Sequence, residues 1–218
     1  MPRLLFEKTC NAVWISHLDL MRLFQRSFKR AGLELKHSQG YSPRPYVAVA
    51  LPLSVGVESC CELLDFDLDG QNVSCEDIKA ALNKALTDGV RVLDVYDEGK
   101  KIKHLVYLDC SVTLEYDKGI PSGAAEAISA LLGRDQLLVA KKGKNGPTEQ
   151  DIIPMIRRIE VGESSHKILL QARVCCQNPS LNPMQLHAAV VRYLPQYAPD
   201  HAKSSRIEIY DHEENVFR

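Results

Sequence analysis

Of 218 residues, 45% are hydrophobic, and 27 lysines and arginines stand against 28 aspartates and glutamates for a formal net charge of -1. Such a chain buries one large core or two small ones, with two domains of about 100 residues each as the natural division. Near-neutrality excludes a wholly basic nucleic-acid-coating protein, and no apolar run approaches the roughly 20 residues of a membrane-spanning helix.

The opening residues, Met1 to Lys8, hold no apolar stretch long enough for a signal peptide, which points to the cytoplasm. A first strand precedes Ser16-His17-Leu18-Asp19-Leu20, where Ser16 is the expected N-cap and Asp19 takes the third helical position, favourable for a carboxylate. The helix is predicted to run to about Arg30, because Ala31-Gly32 supplies a stop. Leu20, Phe24 and Phe28 recur at the spacing of a buried stripe. The opposite face carries Arg22, Arg26 and Arg30 at i, i+4 and i+8, with Lys29 beside them and only Asp19 as an anion. Solvated helix faces usually alternate charge signs. A single-sign row suits a phosphate-bearing ligand, which guanidinium groups grip in a bidentate fork, and a plain basic solvent face is the alternative.

Next comes Lys36-His37-Ser38-Gln39-Gly40-Tyr41-Ser42-Pro43-Arg44-Pro45, a loop with one glycine, two prolines and an aromatic ring among cationic groups. Ser38, Gly40, Tyr41 and Arg44 offer a hydroxyl, close backbone approach, a stacking ring and a cation, the parts that a single-stranded nucleic acid requires. The other reading is a rigid connection between strands.

Extended segments at Leu33 to His37 and Tyr46 to Leu53 on either side of the loop, a strand from Leu63 to Leu68, a helix from Cys75 to Leu86 behind Ser74, and a strand from Val90 to Tyr96 complete a βαββαβ succession. After a polar bridge the order begins again. Leu105 to Tyr116 reads as a strand, Ser122 to Leu132 as a helix, Gln136 to Ala140 as a strand, and His166 to Cys176 as another. Pro183 to Leu194 reads as a helix behind Asn182, and Ser205 to Tyr210 as a closing strand. The expectation is an α+β protein of two tandem ferredoxin-like domains with antiparallel sheets, residues 1–98 and 104–218. Lys141-Lys142-Gly143-Lys144-Asn145-Gly146-Pro147-Thr148 reads as a flexible basic insertion, in which Lys141, Lys142 and Lys144 are further phosphate-binding candidates.

Catalytic signals are sparse. His17, beside Asp19 at a helix start, is the one acid–base candidate; a histidine that fastens the helix to a neighbouring strand is the other reading. The chain has no Walker loop, no G-x-G-x-x-G turn and no H-E-x-x-H helix, so no cofactor is expected. Its seven cysteines, at 10, 60, 61, 75, 110, 175 and 176, include no C-x-x-C pair, and its seven histidines are dispersed, so no metal is expected either. The cysteines are read mainly as small buried side chains, with the Cys60-Cys61 and Cys175-Cys176 pairs pointing to opposite faces of strands, and Trp14 is read as core.

Several of these segments together resemble a known family. Ser16-His17-Leu18-Asp19-Leu20-Met21-Arg22, Arg30-Ala31-Gly32-Leu33, Ser38 to Pro45, Leu51 to Ser59, Lys141 to Lys144, Ile152 to Ile156 and Arg206 to Tyr210 look like the radical-SAM-linked proteins, a family of unassigned function. Its members occur alone or as the C-terminal part of radical SAM proteins. The resemblance implies a radical SAM enzyme as partner. Members commonly carry histidine between the two loop prolines, where this chain has Arg44, an exchange that a phosphate contact survives and a catalyst or metal ligand does not. The expectation is therefore a non-catalytic RNA-binding accessory module for a radical SAM enzyme. The alternatives are an RNA-cleaving or RNA-modifying enzyme using His17, and a protein–protein adaptor.

Overall fold

Strand pairing within each half of the chain is antiparallel in the computed structural model, which describes residues 1–143 and 146–218. The first unit comprises Met1–His104 with Phe217–Arg218, and the second Leu105–Val216. The expected boundaries at residues 98 and 104 thus move: 99 to 104 and the last two residues belong to the first unit. The protein is a mixed α+β protein, and among the described residues no helix is long and apolar enough to cross a membrane.

In the first unit, β1 (Arg3–Lys8), α1 (His17–Arg30), β2 (Val47–Val49), β3 (Glu58–Phe66), α2 (Cys75–Ala85) and β4 (Val90–Tyr96) follow one another, and the strands lie in the order β4-β1-β3-β2. Alternation along β1 and β3 sends Leu4, Phe6, Leu64 and Phe66 to the helix side, where they meet Leu20, Phe24 and Phe28 of α1 and Ile78 and Leu82 of α2. Phe6 packs edge-on against Phe24 at 4.8 Å between ring centroids, and Phe28 packs against Phe66 at 5.1 Å. Each such side chain contributes about 1.5–3 kcal/mol by leaving water. On the other side of the sheet Arg3, 3% exposed, donates to Asp65 at 2.5 Å and to the Lys100 carbonyl at 2.8 Å, and lies 5.6 Å from the Phe217 ring. A Cβ at Gly99 would fall 2.5 Å from the Arg3 guanidinium carbon, so the polar bridge crosses there on glycine and joins the first unit.

In the second unit, β5 (Leu105–Glu115), α3 (Ala124–Leu132), β6 (Leu138–Gly143), β7 (Gly146–Asp151), β8 (Ile156–Ser164), β9 (Lys167–Cys175), α4 (Met184–Tyr193) and β10 (His201–Asp211) succeed one another. The main strands lie in the order β10-β5-β9-β8, and β6 pairs with β7 as a separate hairpin. Two expectations are corrected. The second strand of this sheet is β8 rather than Gln136 to Ala140, and residues 141–143 and 146–148 of the basic insertion read as a loop lie on the paired strands β6 and β7. β8 escapes a period-two reading because its register against β9 slips between Ile156 and Arg158, a bulge that resets the alternation. Helix α4 begins at Met184; the Asn182 side chain accepts its N–H at 3.0 Å, and the Asn182 N–H donates to Gln185 at 3.0 Å.

The seven cysteines are thiols. Cys61, Cys110 and Cys176 are buried as expected of small core residues, whereas Cys10 and Cys60 are exposed, and each adjacent pair divides between faces.

Candidate functional site

Helix α1 begins as its sequence dictates. Ser16 Oγ accepts the Asp19 N–H at 3.3 Å and donates to the Asp19 carboxylate at 2.8 Å, and the other carboxylate oxygen takes Arg22 at 3.1 Å. Hydrogen bonds from Ser16 and then Arg22 hold the Asp19 carboxyl below its ordinary pKa. With both oxygens committed to the cap and to Arg22, Asp19 does not serve His17, and the expected acid–base pair is not formed. The His17 Nδ1 is buried without a hydrogen-bond partner among the described residues.

The end of α1 is equally local in origin. Leu33 N–H reaches back to the Phe28 carbonyl at 3.0 Å and Gly32 N–H to the Lys29 carbonyl at 3.2 Å, with Gly32 at φ 72°: a Schellman stop that turns Leu33 into the core.

Between these ends, the line of arginines does not converge. Successive positions four apart advance by about 40° around a helix, so three of them spread over about 80°. Arg22 ends on Asp19 in an exposed pair of little energetic value. Arg30 reaches the far side, donating to Ser27 Oγ at 2.9 Å and to the Ala85 carbonyl at 2.6 Å. Ala85 closes α2, so the Arg30 guanidinium satisfies one of that helix's terminal carbonyls and meets the negative end of its dipole. Only Arg26 is left on open ground.

Arg26 and its neighbour Lys29 line a groove of about 670 Å³ whose other walls come from Gly32 to Leu35, His37, Pro45 and Asp69. The floor is pinned by backbone. Asp69 N–H donates to the Glu34 carbonyl at 2.9 Å, and Lys36 N–H to the Asp67 carbonyl at 2.9 Å. Gln71 bridges the Glu34 N–H (2.8 Å) and the Gly32 carbonyl (3.1 Å). Composition alone missed Glu34 and Asp69. Asp69 lies in an acidic run far along the chain and arrives through the Leu35–Leu68 bridge, a pairing with no local signature.

The Gly/Pro loop rises beside this groove. Its neck is tied by Ser38 N–H to the Arg44 carbonyl (2.8 Å), Arg44 N–H to Ser38 Oγ (3.0 Å) and a bridge between His37 and Pro45. Ser38 thus closes the loop, its hydroxyl oxygen accepting the Arg44 N–H. At the tip, Gly40 adopts φ 131° with nothing within 4 Å of where a Cβ would stand, and Tyr41 is fully exposed. Arg44 is exposed as well.

One further expectation changes. Trp14 is 70% exposed rather than core, because β1 stops at Lys8 and a short 3-10 helix over Cys10–Trp14 takes the ring out of the sheet and lays it against Gly56. Lys8 is fully buried, its ammonium donating to the Val13 (3.1 Å) and Ile15 (2.9 Å) carbonyls that lead into α1. Burial lowers its pKa below the ordinary lysine value, against the raising influence of Glu62.

In the second unit, Lys141 is exposed on β6, Lys144 lies outside the described residues, and so does the Lys142 side chain. The hairpin is held to α4 by Tyr193 on the Leu138 carbonyl (2.9 Å) and by Arg192 on Glu149 (2.7 Å). Burial pushes the Cys110 and Cys176 thiols up to about 12, which favours the protonated thiol near neutral pH. Among the described residues no three histidine, cysteine, aspartate or glutamate side chains gather as a metal-binding group.

Comparison with solved structures gives a likeness of fold to a chain in the crystal structure of a Cbf5-Nop10-Gar1 complex, with a TM-score of 0.51 at 10% identity. It covers 95% of this chain, which spans about half, 48%, of that one. An unknown protein from Galdieria sulphuraria aligns over 94% of this chain and 96% of its own at 12% identity, but its TM-score of 0.26 carries no structural argument. No curated protein matches. A family model does, over residues 2–183: the chain belongs to the family described as "Uncharacterized protein conserved in bacteria (DUF2344)".

Proposed function

We propose that this protein is a non-catalytic RNA-binding accessory module that works with a radical SAM enzyme in RNA modification or processing, built from two ferredoxin-like units and acting in the cytoplasm. One observation carries the RNA part. A groove lined by Arg26, Lys29 and His37 runs beside a tied loop that holds Tyr41 fully in solvent. Cations that form no ion pair among the described residues suit a phosphate backbone, and an exposed ring on a fixed stem is a platform for an unpaired base. The strand orders β4-β1-β3-β2 and β10-β5-β9-β8, each with two helices in the connections, support the ferredoxin-like reading. The radical SAM partner rests on the resemblance of the segments quoted above, and the cytoplasmic setting fits seven cysteines in the thiol form. Asp19, committed to Ser16 and Arg22, argues against an enzyme built on His17.

The test is fluorescence anisotropy of labelled single-stranded RNA at rising salt, with Tyr41→Ala and Arg44→Ala. Binding should weaken as salt rises. Tyr41→Ala should cost about 1–3 kcal/mol of affinity with an unchanged salt slope, and Arg44→Ala should flatten the slope by about 0.7. No binding at low salt, or two variants indistinguishable from the parent, refutes the reading.

A further inference from the structure

The groove holds both signs of charge, and they do not neutralise one another. Arg26, Lys29 and His37 share it with Glu34 and Asp69, and among the described residues no ion pair or side-chain hydrogen bond joins these five groups to one another. The contrast is close at hand: Lys36 and Asp67, on the same paired segments, do form an ion pair, at 3.3 Å. The Glu34 and Asp69 carboxylates therefore keep their acceptor sites open, on a floor fixed by the Asp69-to-Glu34 backbone bond and by Gln71.

Resting on the RNA reading above, we infer that this groove selects guanine within the bound single strand. Carboxylates repel phosphate, so Glu34 and Asp69 face the part of a nucleotide that donates hydrogen bonds, the base edge, while Arg26 and Lys29 take the phosphates. A carboxylate presents two acceptors side by side and is best matched by two adjacent donors. Only guanine has them on its Watson–Crick edge, in N1–H and the N2 amino group. Adenine and cytosine set one amino group beside an acceptor nitrogen, which a carboxylate oxygen repels. Uracil sets its single N–H between two carbonyls. The volume of about 670 Å³ accommodates a nucleotide with its flanking phosphate, and the next base stacks on Tyr41 at the loop tip.

The experiment compares fluorescein-labelled oligoadenylate, oligouridylate, oligocytidylate and an alternating guanylate–adenylate strand of equal length, by anisotropy at one salt concentration. The parent protein should hold the guanine-containing strand about ten-fold tighter than oligoadenylate, the discrimination expected of one well-paired base edge. Glu34→Gln with Asp69→Asn together should bring that ratio close to one while oligoadenylate binding stays level or tightens, since two negative charges have gone. Both side chains are exposed, and circular dichroism checks that the double variant is folded. Equal affinity of the parent for all four strands, or a guanine preference that survives in the double variant, overturns the inference and leaves RNA binding intact. Failure to bind any strand overturns both readings.

Discussion

The groove of the first unit and a polar network on the second unit's sheet contain the same kinds of side chain in opposite states. Across β5, β8, β9 and β10, Asp109 accepts both Nε and Nη2 of Arg173 at 2.8 and 2.9 Å, Arg158 at 3.0 Å and the Tyr210 hydroxyl at 2.9 Å. Arg173 also donates to Glu214 at 2.5 Å and lies 3.7 Å from the Tyr210 ring centroid. Asp109, Arg158, Arg173 and Glu214 are spent on one another. In the groove, among the described residues, no ion pair or side-chain hydrogen bond joins the cations to the carboxylates. Charged residues that satisfy one another stabilise a fold, whereas charged residues held apart on a rigid floor are available to a ligand. Counting arginines in the sequence does not separate the two cases.

The largest expected effect comes from breaking the satisfied network. Asp109→Ala leaves Arg173, 7% exposed, with Glu214 alone, and should cost about 3 kcal/mol in urea unfolding. RNA affinity should not change. A loss under about 0.5 kcal/mol, the range of an ordinary surface substitution, would erase the distinction between the two regions.

Acid should probe the same network. Burial pushes the Asp109 carboxyl up, but the hydrogen bonds from Arg173 and Tyr210 and the charges of Arg173 and Arg158 outweigh it and leave the group below its ordinary pKa. Glu214 is lowered as well, by its hydrogen bonds from Arg173 and Arg157. For a depressed carboxyl the stabilising contribution is complete above the unfolded-state pKa and is lost as pH falls through the folded one. Stability of the parent should therefore drop from the ordinary carboxylate range downward, and Asp109→Asn should flatten that acid limb. An acid limb of the same slope in both proteins would show that the pairing contributes nothing pH-dependent.

How far the sequence disclosed this division depended on whether the signal was local. Ser16, Asp19 and Gly32 fix both ends of α1 within a few residues of themselves, so that helix and its buried stripe were legible to the residue. Trp14 was not, because its position depends on where β1 stops and on Cys10 entering the short helix at φ 51°. Strand β8 was hidden by its own bulge, and the lysine-rich hairpin by a composition that imitates a loop. In the groove, Arg26 was legible as one of a row. Which member of the row stays open was not, because that depends on α2 ending next to Arg30, and Asp69 enters through a strand bridge from more than thirty positions away.

Arg26 and Arg30 turn that point into the smallest and most discriminating measurement. They lie one helical turn apart in the same row, with the same charge and propensity, and only their surroundings differ. Arg30→Ala removes the donor on the Ala85 carbonyl and should lower stability by about 1 kcal/mol with RNA affinity unchanged. Arg26→Ala removes no hydrogen bond. It should leave stability within about 0.5 kcal/mol, weaken RNA binding a few-fold and reduce the salt slope by about 0.7. The two variants should thus cross over, one losing only stability and the other only affinity. If both lose affinity equally, the row acts as a continuous basic face and the groove is not the place where phosphate is held.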